Sequence, residues 1–300
     1  MNSPSITCWP VLLFSVIILA SCSGDDSGGK GAEIASGPAT PLGSQGISQA
    51  SPVDPRADTS KSYDWMGRGE IEQSISSSIT GVSYKYHVYL PPEYDLEIDR
   101  EFPIIYILDA QWGVEFQMRV VDLEARPVII VGIEEGPSGR RATDYILPGG
   151  RVYFDFFTQE FIPRVESEYR VLAADRTFEG TSAGGAASLI MMLLDTESPP
   201  IFKNHFSFDP YVQSSLYELM DERYASGMPL DKTLYLTAAT GRDGLHLGAN
   251  AFVQSLKNKK FEGLSISSAT YDVSHYDVTW ASFSHALEIV FGESTLAPLP

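Results

Sequence analysis

The pentapeptide Gly180-Thr181-Ser182-Ala183-Gly184 restricts the fold of this chain more than any other segment, because it joins a strand-like segment to a helix-like one. Residues 176–179 form a short extended run, and residues 183–194 are rich in strong helix formers. A sharp strand-to-helix turn lifts a serine Oγ above the edge of a sheet, and small flanking residues let the backbone pass close to its neighbours. The pattern therefore predicts a nucleophile elbow with Ser182 at its tip.

Strand-like and helix-like segments alternate along the chain beyond Trp65. Residues 102–109 (FPIIYILD) form a continuous apolar run, which is typical of a strand buried on both faces of a parallel sheet. We predict strands at 70–80, 82–90, 102–109, 128–133, 176–179, 202–208, 233–240 and 264–271, and helices at 112–125, 151–169, 183–194, 214–224, 247–257 and 278–291. This alternation predicts an α/β domain with a mostly parallel sheet of about eight strands and helices on both faces, the α/β-hydrolase architecture.

The first 65 residues carry an export signal and a tether. The apolar run from Val11 to Ala20 is too short to span a membrane, and it ends in Leu19-Ala20-Ser21-Cys22, which resembles a bacterial lipobox. We predict a signal peptide over 1–21, a lipidated Cys22 followed by a disordered Gly/Ser/Pro tether over 22–65, and the catalytic domain over 66–300. The expected location is the cell envelope, on the outer membrane or its periplasmic face in a Gram-negative host. An ordinary cleaved secretory signal is the alternative, because the first ten residues contain no Lys or Arg.

Cysteine content and charge exclude several classes of function. Cys8 and Cys22 are the only cysteines, so once the signal is removed and the lipid attached neither a disulfide nor a cysteine nucleophile is available. The net charge of −18 argues against binding of nucleic acid or polyanions. The chain has no P-loop, dinucleotide fingerprint or HExxH motif, so we predict no cofactor and no metal site.

A serine nucleophile needs a histidine base, which follows it in the chain in this architecture. His275 lies in a predicted loop between the last strand and the last helix, where its side chain can reach over the sheet edge, and we take it as the base. His246 is the competing candidate. His205 and His285 fall inside a predicted strand and a predicted helix, where a packing role is preferred.

The histidine in turn needs a carboxylate to fix its tautomer. Asp243 closes the predicted seventh strand, which is the usual position of the acid in this architecture, and it is the favoured candidate. Asp209, at the end of the preceding strand, is the alternative. Asp272 is less favoured because it is too close to His275 in sequence.

The remaining parts of the predicted site surround the serine. The amide of Ala183 and that of Ala110 or Gln111 should form the oxyanion hole. Four further side chains are candidates for lining a substrate pocket, although ordinary packing would explain the aromatic ones equally well: Trp112, Tyr145, Asp209 and Tyr211.

Several stretches resemble the putative-esterase group of α/β-hydrolases, which includes esterase D-like enzymes and enterochelin-type siderophore esterases. They run in the order of that family, and they are Tyr86-His-Val-Tyr-Leu-Pro-Pro92, Pro103-Ile-Ile-Tyr-Ile-Leu-Asp-Ala-Gln-Trp112, Arg141-Ala-Thr-Asp-Tyr145, Gly180-Thr-Ser-Ala-Gly-Gly185, Gly241-Arg-Asp243, Asn250-Ala-Phe252 and His275. The resemblance implies a Ser182, Asp243 and His275 triad and hydrolysis of a small-molecule ester without a cofactor. Three departures from the pattern are Thr181, where histidine is common, Leu108-Asp109-Ala110, where Leu-Asp-Gly is common, and Asp209-Pro210, where Ser-Pro is usual.

The acidic domain disfavours strongly anionic siderophores as the substrate. Two other functions stay open from the sequence. One is a catalytically silent binding lipoprotein that retains the fold, and the other is acyl transfer to a second alcohol. Oligomeric state and the acyl and alcohol groups are not fixed by the sequence.

Overall fold

The computed structural model describes residues 63–293, apart from the side chains of residues 70–72. The predicted signal peptide, the lipidated Cys22 and nearly all of the predicted tether lie outside these residues. Among residues 63–293, no helix combines the length and the apolar character needed to cross a membrane.

Eight strands form one sheet in the order β1-β2-β4-β3-β5-β6-β7-β8. Strands β1 and β2 pair antiparallel, β2 pairs antiparallel with β4, and all other neighbours are parallel. The predicted fold class is therefore confirmed. The strands are β1 Arg68–Ser76, β2 Ser83–Leu90, β3 Phe102–Leu108, β4 Ile129–Ile133, β5 Val171–Thr181, β6 Asn204–Phe208, β7 Thr233–Ala239 and β8 Ser265–Tyr271.

Nine α-helices connect and cover these strands in the described part of the chain. They are α1 Glu93–Leu96, α2 Val114–Leu123, α3 Arg141–Asp144, α4 Gly149–Phe156, α5 Ile162–Glu166, α6 Ala183–Leu194, α7 Ser214–Ala225, α8 His246–Lys259 and α9 Val278–Phe291. A π-helical turn at Phe157–Phe161 joins α4 to α5, and a 3₁₀ turn at Ala110–Trp112 follows β3.

Helices cover both faces of the sheet, so the side chains of its central strands are buried on both sides. Every residue of β4 and β6 is buried, as expected for strands that contact helices on both sides. On one face, β3 and β5 pack against an aromatic cluster from the α4–α5 segment, in which Phe156, Phe157 and Phe161 are fully buried. On the other face, α2 and α9 cover alternate residues of β3, β6 and β7.

One histidine is buried in the core, and we expect it to lower the stability of the fold in acid. His205 in β6 is fully buried, and neither of its ring nitrogens has a hydrogen-bond partner among the described residues. Burial lowers the pKa of His205 well below its ordinary value, and the nearby Lys232 ammonium adds to this effect. Below about pH 6.5, the unfolded chain therefore binds a proton that the folded protein does not, and stability falls as the pH falls.

We expect His205→Leu to reduce this loss of stability in acid. The wild-type free energy of unfolding should lose up to about 1.4 kcal/mol per pH unit below about pH 6.5 through this one group. Urea unfolding at about pH 7.5 and about pH 5 measures the difference for both proteins. Equal pH dependence in the two proteins would show that His205 does not control acid stability.

Candidate active site

The predicted elbow occurs at Ser182. Strand β5 ends at Thr181, α6 begins at Ala183, and Ser182 between them has φ 62° and ψ −118°. A positive φ is uncommon for a residue other than glycine and marks a strained turn. Gly180 has no room for a side chain, because a Cβ there would overlap the backbone of Gly184. The sharp turn thus depends on glycine at the position that faces the start of the helix.

Backbone hydrogen bonds fix Ser182 against the end of β6. Its amide donates to the carbonyl oxygen of Phe208 at 2.9 Å, and its own carbonyl oxygen accepts the amide of Tyr211 at 2.9 Å. The two partners, Phe208 and Tyr211, lie directly before and after Asp209-Pro210 in the sequence. The serine therefore lies beside the carboxyl end of β6, at the edge of the sheet where β7 and β8 also end.

A buried carboxylate contacts the predicted base. Asp209 Oδ2 lies 2.6 Å from His275 Nδ1, and Asp209 is fully buried. Its Oδ1 accepts the amide of Ala239 at 3.0 Å, and both of its carboxylate oxygens accept the amide of Leu245, at 3.1 and 3.0 Å. Asp209 itself has φ 41°, so the chain turns sharply directly after β6. Backbone donors satisfy the charge that burial would otherwise make costly.

The His275 side chain is oriented by the Asp209 carboxylate. It lies between β8 and α9, its amide donates to the carbonyl oxygen of Arg242 at 3.0 Å, and its side chain is 15% exposed. With Nδ1 facing the carboxylate of Asp209, the proton of the neutral ring sits on Nδ1. The second nitrogen, Nε2, is then free to accept a proton.

The structure does not place the predicted acid against His275. Asp243 lies in the loop after β7, as its motif position implies, but its side chain is 61% exposed and pairs with Arg242 at 3.7 Å. The carboxylate that contacts His275 belongs to Asp209, which the sequence ranked second. The physical reason is that the loop after β7 turns its peptide groups toward the site, while its side chains point to solvent. The signal was present in the sequence as Asp209-Pro210 directly after an apolar strand.

The other histidines do not contact this carboxylate. His246 begins α8, and its buried Nδ1 has no hydrogen-bond partner among the described residues. His285 in α9 contacts the hydroxyls of Tyr235 and Tyr271, and His205 is enclosed in the core. Within the described residues, Ser182 Oγ makes no direct hydrogen bond to His275. Such contacts are often long in unliganded enzymes and shorten when substrate binds.

Two groups of free backbone amides flank the serine. Ala183 is the first residue of α6, so its amide has no partner within the helix and lies at the positive end of the helix dipole. The 3₁₀ turn follows β3, the strand next to β5. In this turn the amide of Trp112 donates to the carbonyl oxygen of Asp109. The amides of Ala110 and Gln111 precede this hydrogen bond in the chain. Both groups lie at the carboxyl ends of the neighbouring strands β3 and β5.

An ion pair supports the turn that carries Ala110 and Gln111. Arg141 donates from Nε and Nη2 to the two carboxylate oxygens of Asp109, each at 2.8 Å. Burial raises the pKa of Asp109, and the hydrogen bonds and charge of Arg141 oppose that shift. The Arg141 guanidinium also lies 4.7 Å from the ring centre of Trp112. The pair therefore fixes both the left-handed Asp109 and the indole beyond it.

The predicted pocket residues separate into two groups. Tyr145 is fully buried, so it packs in the core and does not line an open pocket. The Asp209 carboxylate is hydrogen-bonded to His275. Trp112 and Tyr211 are 63% and 47% exposed. Tyr276, next to the base and 69% exposed, was not anticipated from the sequence. Three exposed aromatic side chains therefore follow three strands that end at the edge where Ser182 lies.

Residues 63–293 contain no cluster of histidine, cysteine and acidic side chains placed to hold a metal ion. The chemical groups at the site are a hydroxyl, an imidazole, a buried carboxylate and free amides.

Residues 77–288 match a sequence family described as "Putative esterase". No curated protein sequence matches the chain. Among solved structures, the chain is similar to the BES protein from Bacillus cereus, with 20% identity, a TM-score of 0.63, and coverage of 77% of this chain and 98% of that chain. It is also similar to an IroE-like serine hydrolase from Shewanella oneidensis, with 19% identity, a TM-score of 0.59, and coverage of 77% and 90%. A ferulic acid esterase gives 18% identity, a TM-score of 0.58, and coverage of 75% and 98%. At these identities the structural likeness shows the fold alone.

Proposed function

The chain belongs to the putative-esterase family and is therefore a serine hydrolase of carboxylic esters, and we propose that Ser182, His275 and Asp209 carry out its reaction. The observation that carries this proposal is the 2.6 Å contact between His275 Nδ1 and a fully buried Asp209 carboxylate, beside a serine held at a strained elbow. A carboxylate, an imidazole and a hydroxyl in this order are the parts needed to make serine a nucleophile.

The reaction begins when Ser182 Oγ attacks the ester carbonyl carbon and His275 Nε2 takes the hydroxyl proton. Asp209 stabilises the imidazolium through Nδ1–H and keeps its own charge. The carbonyl oxygen becomes an oxyanion, which the amide of Ala183 and that of Ala110 or Gln111 stabilise.

The intermediate collapses when the bond from carbon to the alcohol oxygen breaks and His275 returns its proton to the leaving alcohol. Water then attacks the acyl-enzyme with His275 again as base, and the carboxylic acid and free Ser182 are released. No step requires a cofactor.

The substrate side of the site is formed by Trp112 and Tyr211. Trp112 is the last residue of the 3₁₀ turn that contributes an oxyanion donor, and the Arg141 guanidinium lies over its ring. The amide of Tyr211 contacts the carbonyl oxygen of Ser182. Exposed aromatic rings in these positions favour an apolar or aryl group on a neutral ester, and the net charge of −18 disfavours polyanionic substrates.

A serine-directed fluorophosphonate probe tests the function. The purified domain should be labelled, Ser182→Ala should not be, and the exposed Ser214→Ala should be labelled like the wild type. Labelling that persists in Ser182→Ala would contradict the proposed nucleophile. A folded wild-type domain that takes no label would favour the silent binding protein, and ester products formed with an added alcohol would favour acyl transfer.

We further propose that Cys22 anchors the enzyme to a membrane of the cell envelope. The support is Leu19-Ala20-Ser21-Cys22 after a short apolar run, followed by a Gly- and Ser-rich segment. The wild-type protein should partition into detergent, and Cys22→Ala should appear as soluble protein or as uncleaved precursor. Wild-type protein that is soluble, with an unmodified N-terminus, would contradict the anchor.

A further inference from the structure

A fully buried glutamate lies directly beneath the nucleophile elbow. Glu179 in β5 is 1% exposed. Its register partners are Ile107 in β3 and Phe206 in β6, and both belong to the apolar layer beneath α2 and α9. The carboxyl group therefore points into an apolar layer, three residues before Ser182. The reaction described above does not use it.

Glu179 is part of a chain of polar side chains in that layer. Gln117 of α2 donates from Nε2 to Glu179 Oε2 at 3.2 Å. Thr181, two residues along β5, lies on the same side of the sheet, where its hydroxyl interacts with the Glu179 carboxyl group. The Thr181 hydroxyl lies 2.7 Å from the hydroxyl of Thr279 in α9. The chain thus runs from α2 through β5 to α9.

The surroundings of Glu179 favour an uncharged carboxyl group. Among the residues that the structure describes, no cation forms a hydrogen bond to it, and the charged group facing it is the Asp109 carboxylate, which is already paired with Arg141. A buried carboxylate without a cation is costly. Burial raises the pKa of Glu179 well above its ordinary value and Asp109 raises it further, while hydrogen bonds from Thr181 and Gln117 act in the opposite direction.

The polar chain connects the three segments that bear the catalytic groups. Helix α2, which carries Gln117, begins two residues after the 3₁₀ turn with its oxyanion amides. Thr181 precedes Ser182 directly. Thr279 lies in the first turn of α9, four residues after His275. A shift of any of these segments would change the distances among nucleophile, base and oxyanion donors.

We propose that Glu179 is a positioning residue, which as an uncharged carboxyl links Gln117 to Thr181 and so fixes the elbow relative to the oxyanion turn and the His275 loop. This inference rests on the proposed role of Ser182. It also assigns Thr181 a function, because its hydroxyl continues the chain to α9.

The proposal has a consequence at alkaline pH. When Glu179 loses its proton, a charge appears in the apolar layer beside Asp109, and the carboxyl group can no longer donate a hydrogen bond to the polar chain. Because burial raises the pKa of Glu179, the folded protein holds this proton to higher pH than the unfolded chain does, and stability falls as the pH rises above about 4.5. Activity should then decline on the alkaline side.

Three variants test the positioning role by kcat and KM between about pH 6 and about pH 10. Glu179→Met should lower kcat about 10- to 100-fold with KM within about twofold, because the reacting groups lose their alignment. Glu179→Gln, which keeps a donor and an acceptor and cannot ionise, should stay within about threefold of wild type near pH 7 and lose the alkaline decline. Thr181→Val should lower kcat about fivefold or more and keep the alkaline decline.

The proposal would be overturned by any of three results. They are a wild-type kcat in Glu179→Met, an unchanged alkaline decline in Glu179→Gln, and a loss of kcat in Glu179→Gln as large as that in Glu179→Met. Thermal unfolding monitors folding, and if Glu179→Met does not fold, the pH profile of Glu179→Gln and the kcat of Thr181→Val decide. Fluorophosphonate labelling of Ser182 in the wild type separates the two hypotheses. If Ser182 is not labelled, the proposed function fails. If Ser182 is labelled normally and the Glu179 variants keep wild-type activity, only the positioning role is overturned.

Discussion

Ser182→Ala is expected to lower kcat for ester hydrolysis by between about 10⁴-fold and about 10⁶-fold, because the covalent route through the acyl-enzyme is lost. His275→Ala should cost about as much, since a serine hydroxyl without a base is a weak nucleophile. The double variant should be no slower than either single variant, because the two residues act as one unit.

Initial rates on a chromogenic ester give these values, with Ser214→Ala as the matched control at an exposed serine. The rate that remains in Ser182→Ala should come from the oxyanion amides and substrate binding alone. Additive losses in the double variant would mean that His275 does not act on Ser182.

Asp209→Asn should lower kcat by about 10³- to about 10⁴-fold, whereas Asp243→Asn should stay within about threefold of wild type. An asparagine at 209 can turn its amide toward His275 Nδ1, which favours the wrong imidazole tautomer. Alternatively, its NH₂ group can face the backbone N–H groups of Ala239 and Leu245. The hydrogen bonds that these groups now donate to the carboxylate would then be lost. Asp243 is exposed and contacts Arg242, so its loss removes only a surface ion pair.

Thermal unfolding of both variants separates an effect on chemistry from an effect on folding, because Asp209 also accepts backbone bonds. The kinetic comparison is made at equal folded fraction. A larger loss of kcat in Asp243→Asn than in Asp209→Asn would show that Asp243, in the loop after β7, is the acid.

The elements that the sequence predicted well are those with one dominant signal. Helix α9 occupies Val278–Phe291 and α6 occupies Ala183–Leu194, with the bounds that the sequence predicted. Strand β5 was predicted only at residues 176–179 but begins at Val171, because its first half lacks an apolar run and residues 172–174 are exposed. Helix α2 begins at Val114, since Gly113 with φ 158° separates it from the 3₁₀ turn.

The site was predicted less completely, because contacts between side chains depend on how neighbouring loops turn. The elbow has a local signature, and its strained serine occurs where that signature lies. The acid was assigned by its position along the chain, but the choice between Asp209 and Asp243 depends on the direction of peptide groups in a loop. Glu179 carried no local signal, because only the register of β5 with β3 and β6 reveals that its carboxyl group is enclosed.

The loop of residues 239–245 contacts Asp209 and His275 through its main chain. It contributes the amides of Ala239 and Leu245 to Asp209 and the carbonyl oxygen of Arg242 to the amide of His275. Side chains at 242 and 243 are therefore free to diverge among descendants of this sequence. Gly241 and Gly244 are not, because a Cβ at either would collide with the carbonyl group of Val273 or Ala239. Selection on this loop would preserve its two glycines, and Asp243 could be lost while the contact between Asp209 and His275 stays in place.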